Sequence, residues 1–354
     1  MINVGIVGFG FMGQIHAKHI MQLEGYKLVG VCDIDEEKLK ETPASVKSYL
    51  TMDELFSDSE VDTVILSLTN HVHLEAVEKA AKAKLNIICE KPAALSVEEY
   101  DKMLEAVKAN DVVFTIHQQR RYDIDFNVAK SVYESQELGD VYTIQSKLYG
   151  INGNMHDWHV YPEYGGGMLY DWGVHLIDQM LYMVKSKISS IYADVRNVIN
   201  KDVDDYFKIL IRFENGQVGE IELGTYFLAD KEDWFERHWF IGGNKGTMYS
   251  DGFHPKGKIC KTSTLLENVP GKATMTAAGP TRSFGPPQDG VLLTSDLPEV
   301  DVNHLMYFEN FKNTLESKEE FIIKPEEVRR VLVVMNAARE SSKTGNSISF
   351  PEGL

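Results

Sequence analysis

Residues 2–13 read Ile2-Asn3-Val4-Gly5-Ile6-Val7-Gly8-Phe9-Gly10-Phe11-Met12-Gly13, and this stretch decides the fold. Its apolar, partly β-branched start predicts a buried strand over 2–7. The glycines that follow have the G-x-G-x-x-G spacing of a turn that ends a strand and opens a helix, here over 12–23. Gly8 permits the tight turn, Gly10 lets the backbone approach a pyrophosphate, and Gly13 lets helix and strand pack closely. The helix N-terminus offers free N–H groups and a positive dipole end to that anion.

Outward from this loop the pattern repeats. Apolar runs at 27–32, 63–68, 86–89 and 112–117 predict further parallel strands, and segments 35–40, 71–84 and 97–110 carry helical periodicity. This alternation predicts an α/β domain with a doubly wound parallel sheet of the Rossmann type over residues 1–120. The second strand leads into Asp33, 20 residues beyond Gly13 (33 − 13 = 20). A carboxylate there accepts hydrogen bonds from adenosine ribose hydroxyls and repels a 2′-phosphate, and no Arg or Ser directly follows it. The expected cofactor is therefore NAD in preference to NADP, held by Gly8, Phe9, Gly10, Phe11, Met12, Gly13 and Asp33. Asp35 reads first as a helix N-cap. Asn70 and His73 stand at the carboxyl end of the strand over 63–68, where a dinucleotide crosses the sheet edge; each also suits a role in satisfying the next helix.

From about residue 121 the rhythm changes, and residues 121–354 are expected to form a second, α+β domain for substrate binding and oligomerisation. A helix over 123–135 leads to a strand over 141–148, a glycine- and aromatic-rich stretch over 150–167 and a helix over 168–184. Alternating strands at 188–198, 206–213, 218–227 and 234–241 predict an open, mostly antiparallel sheet. Residues 252–300, rich in Gly, Pro, Ser and Thr, read as irregular or edge structure, with closing helices at 303–316 and 325–342.

The 354 residues carry 36 Lys and Arg against 53 Asp and Glu, a net charge of −17. Such a surface repels phosphate backbones and anionic lipid, so no nucleic acid and no membrane partner is expected. Cys32, Cys89 and Cys260 are odd in number and widely spaced, and form neither a disulfide framework nor a zinc pattern. The apolar N-terminus is too short for a signal segment, and no uncharged apolar run reaches about 18 residues, so a cytoplasmic protein is expected.

Two segments carry chemistry. Glu90-Lys91-Pro92 follows the strand over 86–89, and Pro92 stops strand pairing there. A lysine at the carboxyl edge of the sheet can stabilise charge on a substrate oxygen, although a solvent-facing loop lysine is an equal reading. The second segment runs from Gly165-Gly166-Gly167 to Asp178 and holds Asp171 and His175, four apart and so on one helical face. Asp178, three beyond His175, is placed to orient its ring. A structural Asp/His pair competes with general acid–base chemistry. His156-Asp157-Trp158-His159 has metal-like spacing but no third histidine or cysteine nearby, so no metal is expected. His156, Trp158 and His159, with Tyr161, Tyr164 and Trp172, instead suit the lining of a sugar-like substrate site. Arg120 and Arg121 lie at the domain junction, where an inter-domain ion pair competes with ligand contact; His16, His19, His71, His238 and His254 read as structural or solvated.

These residues together resemble the glucose–fructose oxidoreductase / inositol dehydrogenase (Gfo/Idh/MocA) family of NAD(P)-dependent oxidoreductases, over essentially the whole chain. The resemblance rests on the Gly8–Gly13 loop, Asn70 and His73, Glu90-Lys91-Pro92, Arg120 and Arg121, the 165–178 block, and Ala337-Ala338-Arg339-Glu340-Ser341-Ser342 with Thr344-Gly345. It implies that Lys91 binds the reacting hydroxyl, Asp171 holds substrate, and His175 is general base in oxidation, with hydride passing to nicotinamide C4. It implies that Asn70, His73, Glu90 and Lys91 lie against the cofactor, and that Arg121, His156, Trp158 and His159 join Lys91, Asp171 and His175 around a polyhydroxylated small molecule. A homodimer or homotetramer through the C-terminal sheet is likewise implied. The expected activity is oxidation at a ring secondary hydroxyl of a sugar, glycoside or cyclitol. Alternatives are an NAD-dependent glycoside hydrolase or lyase using transient C3 oxidation, and a non-catalytic dinucleotide-binding regulator.

Overall fold

A computed structural model describes residues 1–151, 155–227, 231–265, 273–282, 285 and 289–354. The first part runs β1 Ile2–Val7, α1 Phe11–Gln22, β2 Tyr26–Cys32, α2 Glu36–Leu39, β3 Lys47–Tyr49, α3 Met52–Phe56, β4 Thr63–Leu66, α4 His73–Lys82, β5 Asn86–Cys89, α5 Val97–Asn110 and β6 Phe114–Ile116. The strands form a parallel sheet in the order β3-β2-β1-β4-β5-β6. The direction of winding reverses between β1 and β4, so their carboxyl ends flank a crevice. Val4, Ile6, Val64, Ile65, Ile87 and Ile88 are fully buried, as strands covered on both faces require. The periodicity did not mark β3, because its three residues pair only along β2 and leave Lys47 and Ser48 exposed.

The second part continues through α6 Ile124–Ser135, β7 Val141–Gly150, α7 Val174–Met183, β8 Ile188–Arg196, β9 Tyr206–Phe213, β10 Val218–Gly224, β11 Phe235–Gly243 and β12 Gly246–Asp251. It closes with β13 Lys256–Thr262, β14 Thr274–Thr276, β15 Gly279–Thr281, β16 Leu292–Ser295, α8 Met306–Leu315, α9 Pro325–Thr344 and β17 Ile348–Ser349. Among the described residues, nine of these strands make a mixed sheet in the order β16-β13-β12-β11-β7-β10-β9-β8-β17, antiparallel throughout except for β7 beside β10. Alternation is plain in β9, where Phe207, Ile209, Ile211 and Phe213 are buried and Lys208, Leu210 and Arg212 turn outward.

Residues 252–300, read as irregular or edge structure, hold β13 and β16 at the edge of that sheet and the β14–β15 hairpin, while 266–272, 283–284 and 286–288 lie outside the described residues. Ile259 is the one fully enclosed residue of β13, so backbone pairing with β12, and not an apolar pattern, sustains this edge. The closing helices return to the first part of the chain. Tyr26 donates to Phe308 O at 2.5 Å, and Arg329 on α9 makes a two-pronged pair with Asp101 on α5.

Candidate active site

At the end of β1 the chain turns through Gly8 with φ +88°. A Cβ on Gly8 would lie 2.2 Å from Ser67 O, and one on Gly13 would lie 2.0 Å from Gly8 O. At Gly10 a Cβ would meet nothing within 4 Å. The protein's own backbone therefore demands Gly8 and Gly13, whereas Gly10 faces space open to a ligand. Gly10 caps α1 with no side-chain acceptor, so the first N–H groups of that helix are available to a phosphate. Asp33 is buried beside the loop; its Oδ2 accepts from Phe9 N–H at 2.7 Å and its Oδ1 from Asp35 N–H at 2.9 Å. About two of its four lone-pair sites stay free for ribose hydroxyls. Asp35 caps α2 through Glu37 N–H, the role read first for it. This loop and carboxylate suit a dinucleotide.

β5 delivers Glu90-Lys91-Pro92 to the same edge of the sheet. Glu90 is buried, and its Oε1 accepts from His16 Nε2 at 2.7 Å and His117 Nδ1 at 2.9 Å, while Oε2 accepts from Lys91 N–H at 3.1 Å. Burial alone would raise its carboxyl, but the two imidazoles hold it well below the usual range. Burial pushes His117 down to about 4 against the pull of Glu90, so at neutral pH it serves as an N–H donor. The loop is also gripped from outside: His73 Nδ1 sits 3.1 Å from Pro92 O, and Tyr170 donates to Leu95 O at 2.7 Å. Lys91 thus leaves a clamped backbone, and its Nζ donates to Asp171 Oδ1 at 2.7 Å and to Asp171 O at 3.1 Å.

Asp171 sits in a π-helical segment, Leu169–Gly173, that runs into α7. One continuous helix over 168–184 was expected. The wider turn changes how Asp171 and His175 face each other, a feature common at functional sites. The preceding glycines exist for contact: a Cβ on Gly166 would lie 2.4 Å from His159 O, and one on Gly167 would lie 2.4 Å from Asp204 Oδ1. The other oxygen of Asp171 is 3.5 Å from His159 Nε2. Burial opposes ionisation of Asp171, yet Lys91 and His159 hold its carboxyl far below the usual range. His175 is 2% exposed, with Nδ1 3.0 Å from Gln118 Oε1. Burial first, then Lys91 and Arg120, push its imidazole well below its ordinary value, so it is neutral at pH 7.

Beside this trio lies a cavity of about 210 Å³. Leu148, Ile151, Leu223, Trp172, Trp234 and Phe235 give it an apolar wall, and Asp171, His156, His159 and Thr225 supply polar groups. Trp158 does not line it; its ring stacks on His159 at 3.9 Å and backs that imidazole. Tyr164 is likewise turned away, stacked on His71 at 4.6 Å. Residues 152–154, part of the stretch expected to set substrate choice, lie outside the described residues.

Several residues expected at a ligand have protein partners. Arg121, expected at the substrate, is buried and grips Asp178 with two nitrogens while Nη1 reaches Glu327 and Ile322 O. Drawing it to a ligand would strand a buried carboxylate at a cost of about 3–5 kcal/mol, so the ion-pair reading holds. Both oxygens of Asp178 are thereby bonded to Arg121, and the side chain at His175 Nδ1 is Gln118. His73, expected on the cofactor, has both ring nitrogens against carbonyls of Leu68, Pro92 and Ala93, and burial lowers its pKa. Glu90 spends three of its roughly four acceptor sites on His16, His117 and the Lys91 N–H, and so braces Lys91 from behind. Asn70 donates to Tyr164 O at 2.9 Å and ties the two parts of the chain together. His16, read as structural or solvated, is buried against Glu90, and His117 and Gln118 were missed as site residues. Position at the carboxyl ends of strands was the available signal for the last two, and nothing in their spacing marked them.

Two family profiles match this chain. One, described as an oxidoreductase family with an NAD-binding Rossmann fold, covers residues 2–118; the other, the GFO/IDH/MocA C-terminal domain, covers residues 126–249. The chain belongs to the GFO/IDH/MocA oxidoreductase family. It is similar to an NAD-binding protein of Listeria innocua, at 30% identity and TM-score 0.91 over 99% of each chain. It is 26% identical over 258 residues to myo-inositol 2-dehydrogenase of Thermotoga maritima, covering 71% of this chain and 75% of that protein. It is also 26% identical over 266 residues to 2,7-anhydro-N-acetylneuraminate hydratase of Escherichia coli, covering 73% of this chain and 70% of the relative. Among the described residues of this family member, no helix is long and apolar enough to cross a membrane.

Proposed function

We propose that this family member is an NAD-dependent dehydrogenase acting on a ring secondary hydroxyl of a sugar, glycoside or cyclitol. The observation that carries this reading is the Lys91–Asp171 pair beside a neutral, buried His175, with Asp171 itself lining an aromatic-walled cavity. Residues 1–120 would hold the cofactor through Gly8, Phe9, Gly10, Phe11, Met12, Gly13 and Asp33, with Asn70 at the edge of the crevice. Bound NAD would supply the hydride acceptor at its nicotinamide. Lys91 directs its ammonium at the reacting oxygen and stabilises negative charge on it as the proton leaves. His175, uncharged, takes that proton, and returns it in the reducing direction. Asp171, ionised, keeps the Lys91 ammonium aimed. Trp172, Trp234 and Phe235 give an apolar wall for the C–H surface of a ring, and His156, Asp171 and Thr225 give polar groups for its hydroxyls.

NADH formation across a panel of sugars, glycosides and inositols tests the proposal, and a signal with one class names the substrate. Silence across the panel, with bound NAD demonstrated, would remove the dehydrogenase reading. It would favour transient oxidation followed by bond cleavage and cofactor regeneration, the hydrolase or lyase reading that the similarity to a hydratase supports. For the cofactor, Asp33→Ala is expected to weaken NAD and to narrow its advantage over NADP by about tenfold, measured as the ratio of kcat/KM values. A wild-type enzyme that already prefers NADP would overturn the role given to Asp33.

The outer face of the nine-stranded sheet exposes Tyr192, Leu210 and Tyr249 among charged side chains. Assembly as a homodimer or homotetramer through that face would cover them. Light scattering should then give a multiple of the chain mass, and a monomer mass would refute the assembly.

A further inference from the structure

Behind the proposed trio stands Gln118, two residues past β6 and 1% exposed. Its Oε1 lies 3.0 Å from His175 Nδ1, and its own amide nitrogen is buried with no partner among the described residues. We propose that Gln118 is a positioning residue that fixes the tautomer of His175, accepting from Nδ1–H and leaving the lone pair on Nε2 as the base. The inference rests on the dehydrogenase reading.

Nδ1 is occupied by Gln118, and Nε2 has no protein partner among the described residues, so Nε2 is the nitrogen free to meet a substrate. To take a proton Nε2 must be bare, which puts the ring hydrogen on Nδ1 and requires Gln118 to present its carbonyl. The same amide turned over would donate to Nδ1 and place the hydrogen on Nε2, disabling the base. Asp178, the nearby carboxylate that could do the same task, has both oxygens bonded to Arg121.

An uncharged partner has a second consequence. Lys91 and Arg120 disfavour the imidazolium of His175, as burial does, while Asp171 and Glu90 favour it. A carboxylate on Nδ1 would add to the second group and draw a proton onto the ring. The amide orients the ring without charging it, so the base form persists through neutral pH and is lost only in acid.

Nitrogen NMR of protein labelled with ¹⁵N-histidine tests this without any turnover, with His175 identified by the resonances lost in His175→Asn. The expected result at neutral pH is a protonated Nδ1 and a bare Nε2. Gln118→Glu should keep that tautomer but move the titration of His175, and the acid limb of kcat/KM, to higher pH by about one unit or more. Gln118→Leu, of similar size with no acceptor, should admit the Nε2–H form and lower kcat about tenfold or more, with the KM for NAD unchanged. A hydrogen on Nε2 in the wild type overturns the proposal, as does an unchanged tautomer in Gln118→Leu. If the leucine variant does not fold, the wild-type tautomer and the glutamate variant carry the test. The expected tautomer in a protein that forms no NADH from any substrate would support the role of Gln118 and count against the dehydrogenase reading alone.

Discussion

Alanine in place of Lys91 is expected to lower turnover by about 10²–10⁴-fold and to leave the Kd for NAD within about threefold. The ammonium is the cation that meets Asp171 at 2.7 Å, and its loss removes both charge stabilisation at the reacting oxygen and the group that aims it. The fold should tolerate the change. Asp171 keeps His159 at 3.5 Å, and the Lys91 backbone stays clamped by Glu90. The loss should therefore fall on kcat, measurable by steady-state kinetics beside a fluorescence titration of NAD. Turnover retained in the variant would take Lys91 out of the mechanism.

The second large effect separates two glycines that look alike in the motif. Gly13→Ala would drive a Cβ to 2.0 Å from the carbonyl of Gly8, so α1 must move off β1. A destabilisation of about 1–3 kcal/mol is expected, with NAD binding lost as the phosphate cradle deforms. Gly10→Ala meets no protein atom within 4 Å and adopts an extended backbone open to alanine. Its stability should change by less than about 0.5 kcal/mol, while its Kd for NAD rises about tenfold or more. Thermal melts with calorimetric titration of both variants decide the matter. Unchanged NAD affinity in Gly10→Ala would mean that the ligand does not approach this loop.

The first domain was readable because its signals are local. The β1–Gly8–α1 unit, the carboxylate at Asp33 and the strand periods each lie within about 30 neighbouring residues, and the parallel sheet leaves near-continuous apolar runs. The sheet of the second part was readable as strands where one face is buried, as in β9, and only as irregular or edge structure where burial is thin, as in β13. The catalytic candidates were visible as types and neighbours, but two of their supports were misassigned. Asp178 stands at helical spacing from His175, and for Arg121 an ion pair competed with ligand contact, yet spacing did not show that the two are bonded to each other across 57 positions in sequence.

By itself, then, the sequence determined the α/β class of the first domain, the glycine loop that meets a phosphate, and the family to which Lys91, Asp171 and His175 belong. Those depend on backbone geometry and short-range spacing, which a chain carries wherever it folds. Only the tertiary structure decided which partner each polar side chain takes. A buried charge or imidazole must be satisfied by whatever the packing brings near, and spacing along the chain does not encode that choice. Thus His16 and His117 close on Glu90, Arg121 takes Asp178, and His175 is left to Gln118.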